Sequence, residues 1–455
     1  MLRSLPSLLA IALLLAARAS LAATTYADKV VERTLDNGFK VLLLEDHKAP
    51  VAVVQIWYRV GSRNEGPGTT GLSHLLEHMM FKGTSNHPPE EYSETIARNG
   101  GNENAFTADD ATTYFATLAA DRVNVEVDFE ADRMRNLTLD DAQFQPERQV
   151  VMEERRLRTD NNPIASMFEA LNGATFLAHT YRLPTIGWAS DIAAETRDDL
   201  KAHYDRYYQP NNAFMVAVGD FDAKAFGDAV SERFAPIPRG SDPPEVRTKE
   251  PEQHGPRRIL VEKPAKLPFI ALQYHVPNLH HPDSGPLEVL EAVLANGKSA
   301  RLYRELVRKQ RVALDADAGY DRTAHDDKLF ALTAQAQPGV PIERLEHALL
   351  EQVEAVQKSP PSADELARAK TQLEAAFVFA QDSMFYRGLL LGTYEVAGGW
   401  KQVDDYLPTV SKVTAADVQR VAKQYLVENN RTTGILRPLP TQATNVEQMP
   451  MGPVR

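Results

Sequence analysis

The stretch Gly71-Leu-Ser-His-Leu-Leu-Glu-His-Met-Met-Phe-Lys-Gly83-Thr84 decides how the rest of the chain is read. No Gly or Pro interrupts Leu72 to Lys82, so the pattern predicts a helix there. At about 100° per residue, His74 and His78 stand about 40° apart, with Glu77 about 60° to one side. Leu72, Leu75, Leu76, Met79 and Met80 take the remaining circumference. The helix is therefore apolar except for one narrow stripe of two imidazoles and a carboxylate. Burying such groups without a common partner is costly, and a shared cation removes the cost. Imidazoles at i and i+4 aim at one point, and neutral imidazole suits zinc.

Zinc in a catalytic site keeps three protein ligands and one open position. The third ligand is expected from Pro146-Glu-Arg-Gln-Val-Val-Met-Glu-Glu154-Arg-Arg-Leu157, read as a helix with Pro near its first turn. Glu153 and Glu154 compete. With Val150 set at 0°, Val151 falls at about 100° and Leu157 at about 340°, and Glu154, at about 40°, lies inside that apolar sector. Glu147 joins it at about 60°, while Glu153 sits near the edge at about 300°. Glu154 is the expected ligand and Glu147 the expected orienting group behind a ligand. The order His-x-x-Glu-His is the inverted form of the commoner zinc-peptidase motif.

With the flanking Phe81-Lys-Gly-Thr84, Gly100-Gly101-Asn-Glu-Asn104-Ala-Phe-Thr107, and Glu154 placed 76 residues after His78, this pattern resembles the pitrilysin/insulinase family of zinc metallopeptidases. The likeness is to its shorter-chain branch, which holds the mitochondrial processing peptidase and its bacterial homologues. It covers nearly all of the chain after the leader. The resemblance implies an α+β fold of two homologous domains, each a mainly antiparallel sheet covered by helices. It implies one Zn2+ per chain on His74, His78 and Glu154, and hydrolysis of peptides or unfolded polypeptide segments with Glu77 as general base. It also implies an edge strand at Asn104, Ala105 and Phe106 to which the substrate adds as an extra strand.

One departure stands out. Many relatives carry an Arg and, seven residues on, a Tyr that reach the substrate from the C-terminal half. Arg308 fits the first position, but Asp315 stands at the second, and Tyr320 comes five residues later. At neutral pH a carboxylate repels a developing oxyanion instead of supporting it. The expectation is a homologous subunit that supplies the pair, a heterodimer with a chain lacking the zinc motif being favoured over a homodimer. Two rivals remain: a non-catalytic recognition or structural subunit of the same fold, and a zinc-storing or peptide-carrying protein. The intact His74, Glu77, His78 and Glu154 speak against the first, and Glu77, which storage has no use for, against the second.

Arg3, the apolar run Leu8 to Ala17 and Ser20-Leu-Ala22 read as a signal peptide over 1–22, which places the protein in the periplasm or outside the cell. No later run is apolar enough to span a bilayer. With no Cys, disulfides, thiolate ligands and a lipid-modified N-terminal Cys are excluded. The net charge of −12, or −14 without Arg3 and Arg18, argues against nucleic acid or anionic membrane as the main partner.

Strands are expected at Phe39–Glu45, Val51–Val60 and Ala213–Val218, helices at Pro89–Arg98 and Thr196–Tyr208, and strand in the Thr-, Tyr- and Phe-rich region Ala105 to Leu118. A shift of 218 residues sets Lys48, Pro50 and Gln55 on Lys266, Pro268 and Gln273, and Thr196, Asp199, Tyr207, Asn211 and Asn212 on Thr414, Asp417, Tyr425, Asn429 and Asn430. Near the motif the register slips by four. Gly83 then meets Gly297, and His74, Glu77 and His78 meet Glu288, Glu291 and Ala292. A duplicated domain follows, with residues 23–240 catalytic, 241–254 a linker and 255–455 a homologous non-catalytic domain. The tail from Pro438 to Arg455 is expected to be poorly ordered.

Overall fold

The computed structural model describes residues 25–439. The leader read at 1–22 lies outside them, as does the tail from 440 on, whereas Pro438 and Leu439 belong to the last strand. The first half runs β1 (Val30–Thr34), β2 (Lys40–Glu45), β3 (Val51–Tyr58), α1 (Leu72–Met79), α2 (Glu91–Arg98), β4 (Asn102–Thr107), β5 (Thr112–Ala119), α3 (Asn124–Asn136), α4 (Asp141–Arg155), α5 (Pro163–Thr175), α6 (Arg197–Tyr207), β6 (Ala213–Gly219) and α7 (Ala223–Phe234). The second runs β7 (Arg257–Pro264), β8 (Phe269–Val276), α8 (Ser284–Ala295), β9 (Ala313–Tyr320), β10 (Lys328–Ala336), α9 (Ile342–Lys358), α10 (Ala363–Ala380), α11 (Met384–Ala397), α12 (Ala415–Tyr425) and β11 (Arg431–Leu439).

Each half builds one sheet, in the orders β1-β2-β6-β3-β5-β4 and β7-β11-β8-β10-β9. Pairing is antiparallel except β2 with β6 and β7 with β11. The fold is α+β and duplicated; the second sheet lacks only a counterpart of β1. Composition sorts the strands. β6, Ala-Phe-Met-Val-Ala-Val-Gly, is buried at every residue, as a central strand covered on both faces requires. β7 at its sheet's edge alternates strictly between half-buried and exposed.

One face of the first sheet packs on α1, α3, α6 and α7 through residues such as Val54, Leu75, Val127, Leu200 and Val230. Its other face, with Trp57, Phe214 and Val216, is covered by Leu391 and Tyr394 of α11, a helix of the second half. The second sheet reciprocates, covering Ala271 and Leu436 with Met167 and Leu171 of α5. Glycines permit both approaches: a Cβ on Gly392 would lie 2.2 Å from the Trp57 ring, and one on Gly434 would lie 2.8 Å from Leu171 and Met167.

The identities at a shift of 218 have physical work in both copies. Thr196 with Asp199, and Thr414 with Asp417, form capping boxes on α6 and α12. Asn212 and Asn430 each donate from Nδ2 to the carbonyl closing the preceding helix, Tyr207 O at 2.9 Å and Tyr425 O at 2.8 Å. Gln55 and Gln273 both bond the exchanged helix, Gln55 through Phe385 O at 3.1 Å and Gln273 through Asn172 Oδ1 at 2.9 Å.

Two local expectations differ from the structure. Ala105 to Leu118 is not one strand but the hairpin of β4 and β5, whose turn Ala108-Asp-Asp-Ala111 contains no Gly or Pro to announce it. The helix expected from Pro146 begins at Asp141, where Asp140 Oδ1 accepts from Gln143 N at 2.9 Å, and Pro146 lies inside it.

Candidate metal centre

α1 starts where Glu65 receives the backbone N–H groups of Gly71 and Ser73, each at 2.7 Å, so a buried carboxylate caps the positive end of the helix. Burial pushes the Glu65 carboxyl up to about 7, against the pull of those bonds. Ser73 Oγ lies 3.1 Å from Nε2 of the buried His203 on α6. Leu72, Leu75, Leu76 and Met79 fill the core, which leaves the stripe of His74, Glu77 and His78 turned toward α4 and β4.

Nε2 of His78 lies 3.3 Å, and Nε2 of His74 3.7 Å, from the same Glu154 Oε2. One ligand atom from each of the three residues lies within 4.8 Å of the others. A tetrahedral zinc with bonds of about 2.0–2.1 Å sets its ligands about 3.3–3.4 Å apart. The donor set and its spacing fit such an ion. Burial lowers the His74 imidazole to about 3, so its ring is neutral at ordinary pH and its lone pair is free. For His78 burial acts in the same direction, but Glu147, with Glu154 and Glu77, outweighs it and raises the ring above its usual value.

The two imidazoles are held differently. His78 Nδ1 bonds Glu147 Oε1 at 2.8 Å, and Glu147 Oε2 in turn takes Lys82 Nζ at 2.7 Å. Against the effect of its burial, these two partners keep the Glu147 carboxyl below its usual range. His74 Nδ1 is buried without a hydrogen-bond partner among the described residues, so that ring lacks the anchor that Glu147 gives His78. Glu154 divides its carboxylate, Oε2 toward the imidazoles and Oε1 to Arg158 Nη1 at 2.6 Å. Arg158 stands on a π-helical turn, Arg156–Asp160, that continues α4. Next to Glu154, the buried Arg155 reaches Glu169 of α5 at 2.8 and 3.0 Å and ties the ligand helix to the exchanged one.

Glu153 points outward to Arg156, away from the cluster. The apolar sector that selected Glu154 is placed otherwise than expected, since Val150 is 49% and Leu157 65% exposed. The buried stripe of α4 is Phe144, Glu147, Val151 and Arg155, and Glu154 flanks it.

Glu77 is mostly buried, which raises its pKa, while the Thr107 hydroxyl, donating to Oε2 at 2.6 Å, works the other way. No ion pair reaches Glu77 among the described residues. Among the described residues β4 pairs only with β5, which leaves its other edge without a strand partner there. The N–H of Ala105 donates to Asn104 Oδ1 at 2.8 Å, and Asn104 is exposed. Ala105 packs toward the core beneath α1, whereas Phe106 turns to the opposite face, its ring edge-on to Trp57 at 5.8 Å. Arg308 is exposed in the second half, with no hydrogen bond or ion pair to the cluster among the described residues. Asp315 is exposed on β9, and Tyr320 donates its hydroxyl to Pro277 O at 2.7 Å. Sequence reasoning missed Glu65, Lys82, Thr107 and Arg158. Of these Lys82, four residues after His78, and Arg158, four residues after Glu154, had a local signal.

Residues 40–188 match the family described as "Insulinase (Peptidase family M16)", and residues 194–373 the one described as "Peptidase M16 inactive domain". The zinc protease PqqE of Helicobacter pylori is 33% identical over 431 residues, covering 94% of this chain and 97% of that protein. A probable mitochondrial-processing peptidase subunit beta of Arabidopsis thaliana is 25% identical over 420 residues, 89% of this chain and 78% of that one. The crystal structure of a protease from Helicobacter pylori superposes with a TM-score of 0.87 at 33% identity, covering 90% of this chain and 99% of that chain.

Proposed function

The chain belongs to the insulinase family of M16 peptidases, and on that premise we propose that it is a zinc-dependent endopeptidase acting on peptides or unfolded polypeptide segments. The ligands would be His74, His78 and Glu154, with Glu147 orienting His78. A zinc ion held there supplies Lewis acidity to the scissile carbonyl and the attacking water. Glu77 takes the water's proton and delivers it to the leaving amine nitrogen. The free edge of β4 holds the substrate extended, with backbone groups around Asn104, Ala105 and Phe106 as its partners. A cleaved leader over 1–22 would set this work in the periplasm or outside the cell.

The observation that carries the reading is Glu77. Its carboxylate stands beside the proposed ligands, bonded to a hydroxyl and, among the described residues, to no cation. A scaffold or storage protein has no use for a base there.

The test is digestion of a mixed peptide library by the purified chain, with cuts mapped by mass spectrometry. Cuts that a chelator abolishes, zinc restores and Glu77→Gln lacks support the reading; cuts indifferent to chelator overturn it. Arg308, exposed and with no hydrogen bond or ion pair to the cluster among the described residues, leaves a place for a homologous partner that completes the site. Adding a co-expressed partner chain is then expected to raise cleavage, and full activity from a monomer counts against it.

A further inference from the structure

We propose that Thr107 is a positioning residue for Glu77, tying the carboxylate that moves the proton to the strand that holds the peptide; this rests on the peptidase reading above. Thr107 closes β4, and its side chain faces the metal side, as that of Ala105 does. Its hydroxyl carries a single hydrogen. The acceptors in reach are Glu77 Oε2 at 2.6 Å and Thr112 Oγ1 at 3.4 Å. The short bond to a carboxylate is much the stronger. Thr112 spends its own hydrogen on Val60 O at 2.9 Å, so it does not donate back to Thr107. The direction of the Thr107 O–H is thereby set.

The last torsion of a Glu side chain is broad and nearly two-fold, so an unpartnered carboxylate samples many orientations. Here Oε2 is pinned toward β4 and Oε1 is left for a water. Among the described residues this is the one hydrogen bond that the Glu77 carboxylate makes. A peptide strand pairing along β4 restrains the backbone that carries Thr107. Binding and base alignment therefore meet in one residue. A misplacement of about 1 Å in a reacting group costs about 10²-fold in rate, which sets the scale of the expected effect.

Thr107→Val keeps the shape and the β-branch and deletes the donor. Its kcat is expected to fall about 10- to 100-fold with KM little changed. Thr107→Ser should recover most of the loss. If Thr107 acts through Glu77, adding Thr107→Val to Glu77→Gln costs nothing further, the signature of two residues working as one unit. Zinc affinity, from competition with a chromophoric chelator, should be unchanged in Thr107→Val. A crystal structure of zinc-loaded Thr107→Val should show the Glu77 carboxylate rotated or split between orientations.

An unmoved carboxylate overturns the proposal, and this arm reads out whether or not any peptide is cut. A Thr107→Val enzyme with wild-type kcat beside an inactive Glu77→Gln also overturns it, leaving the base assignment standing. Equal losses from Thr107→Val in the wild-type and Glu77→Gln backgrounds overturn it as well. Wild-type turnover in Glu77→Gln is different, because it removes the underlying peptidase reading.

Discussion

α1 and α8 are two copies of one helix, each followed by a left-handed glycine, Gly83 at φ +92° and Gly297 at φ +79°. Where α1 carries His74, Glu77 and His78, α8 carries Glu288, Glu291 and Ala292. Both place ionisable groups in a largely buried slot, and they resolve the cost differently. In α8 the protein supplies the partners: Glu288 takes the Tyr406 hydroxyl at 2.8 Å and pairs with Arg322 at 3.3 Å. In α1 no Lys or Arg among the described residues bonds either imidazole, and two ring nitrogens and a carboxylate oxygen lie within 4.8 Å of one another. The comparison teaches that a duplicated fold need not keep a duplicated site. One copy pairs Glu288 within the protein, and the other keeps the donor set proposed above to hold zinc.

The strongest way to break that comparison is to remove the same group from both copies. Glu77→Gln is expected to lose about 10²- to 10⁴-fold in turnover, the range of a general base, while retaining zinc. Its counterpart Glu291→Gln should keep wild-type turnover. Steady-state cleavage of one fluorogenic peptide by both variants decides it, and a comparable loss in Glu291→Gln would mean the second copy shares in the chemistry.

Next in size come the metal ligands, read by zinc titration of the metal-free chain. Glu154→Gln should weaken zinc most, because it replaces the anionic carboxylate facing both imidazoles with a neutral amide. Glu147→Gln should cost about 10- to 100-fold, the usual effect of an orienting group behind a ligand. Glu153→Gln, altering an exposed side chain, should cost nothing measurable. Equal losses at 153 and 154 would undo the assignment.

How much of this was legible beforehand follows from the range of the interactions. The stripe on α1 needs only helical period, so the sequence shows it plainly. The duplication was legible because capping boxes and the turn asparagine are local devices that demand the same residues twice. The face of α4 was read less well. Val150 and Leu157 suggested an apolar sector, yet both are exposed, and the buried stripe depends on what α4 meets in space. Thr107 reaches Glu77 only because a hairpin lays β4 beside α1, and Glu65 caps α1 from an irregular loop. The exchange of α5 and α11 is tertiary throughout and leaves no periodic trace.

A third effect sharpens the contrast through pH. Glu291 lacks the partners of Glu288, and burial, with Glu288 and Asp317 nearby, pushes its carboxyl from 4.5 up to about 8. A group whose folded pKa lies above its unfolded value stabilises the protein fully below the unfolded pKa. That contribution is lost as pH rises through the folded pKa. Wild type should therefore lose stability between about pH 5 and pH 9 on this account, by at most about 4–5 kcal/mol. Glu291→Gln removes that part of the slope and should be the more stable protein at pH 9. Urea unfolding across this range checks it, and parallel profiles for the two proteins would show that Glu291 is ionised without penalty.

The smallest expected effect concerns what the two halves still share. Gln55 and Gln273 occupy the same place in β3 and β8, both are buried, and each bonds the helix lent by the other half. Gln55 also accepts from Trp57 Nε1 at 3.1 Å, and Gln273 from Thr175 Oγ1 at 2.7 Å. Replacing either with Leu keeps the volume but removes two hydrogen bonds, a cost of about 1–3 kcal/mol, although Thr175 Oγ1 can still donate to Leu171 O at 2.8 Å. The two losses should be similar and should add, since the sites share no partner. If the exchanged helices make the halves one cooperative unit, each variant lowers the midpoint of a single urea transition. A variant in which one half unfolds before the other would show that the exchange is symmetric in shape only, with the stability of each half resting on its own core.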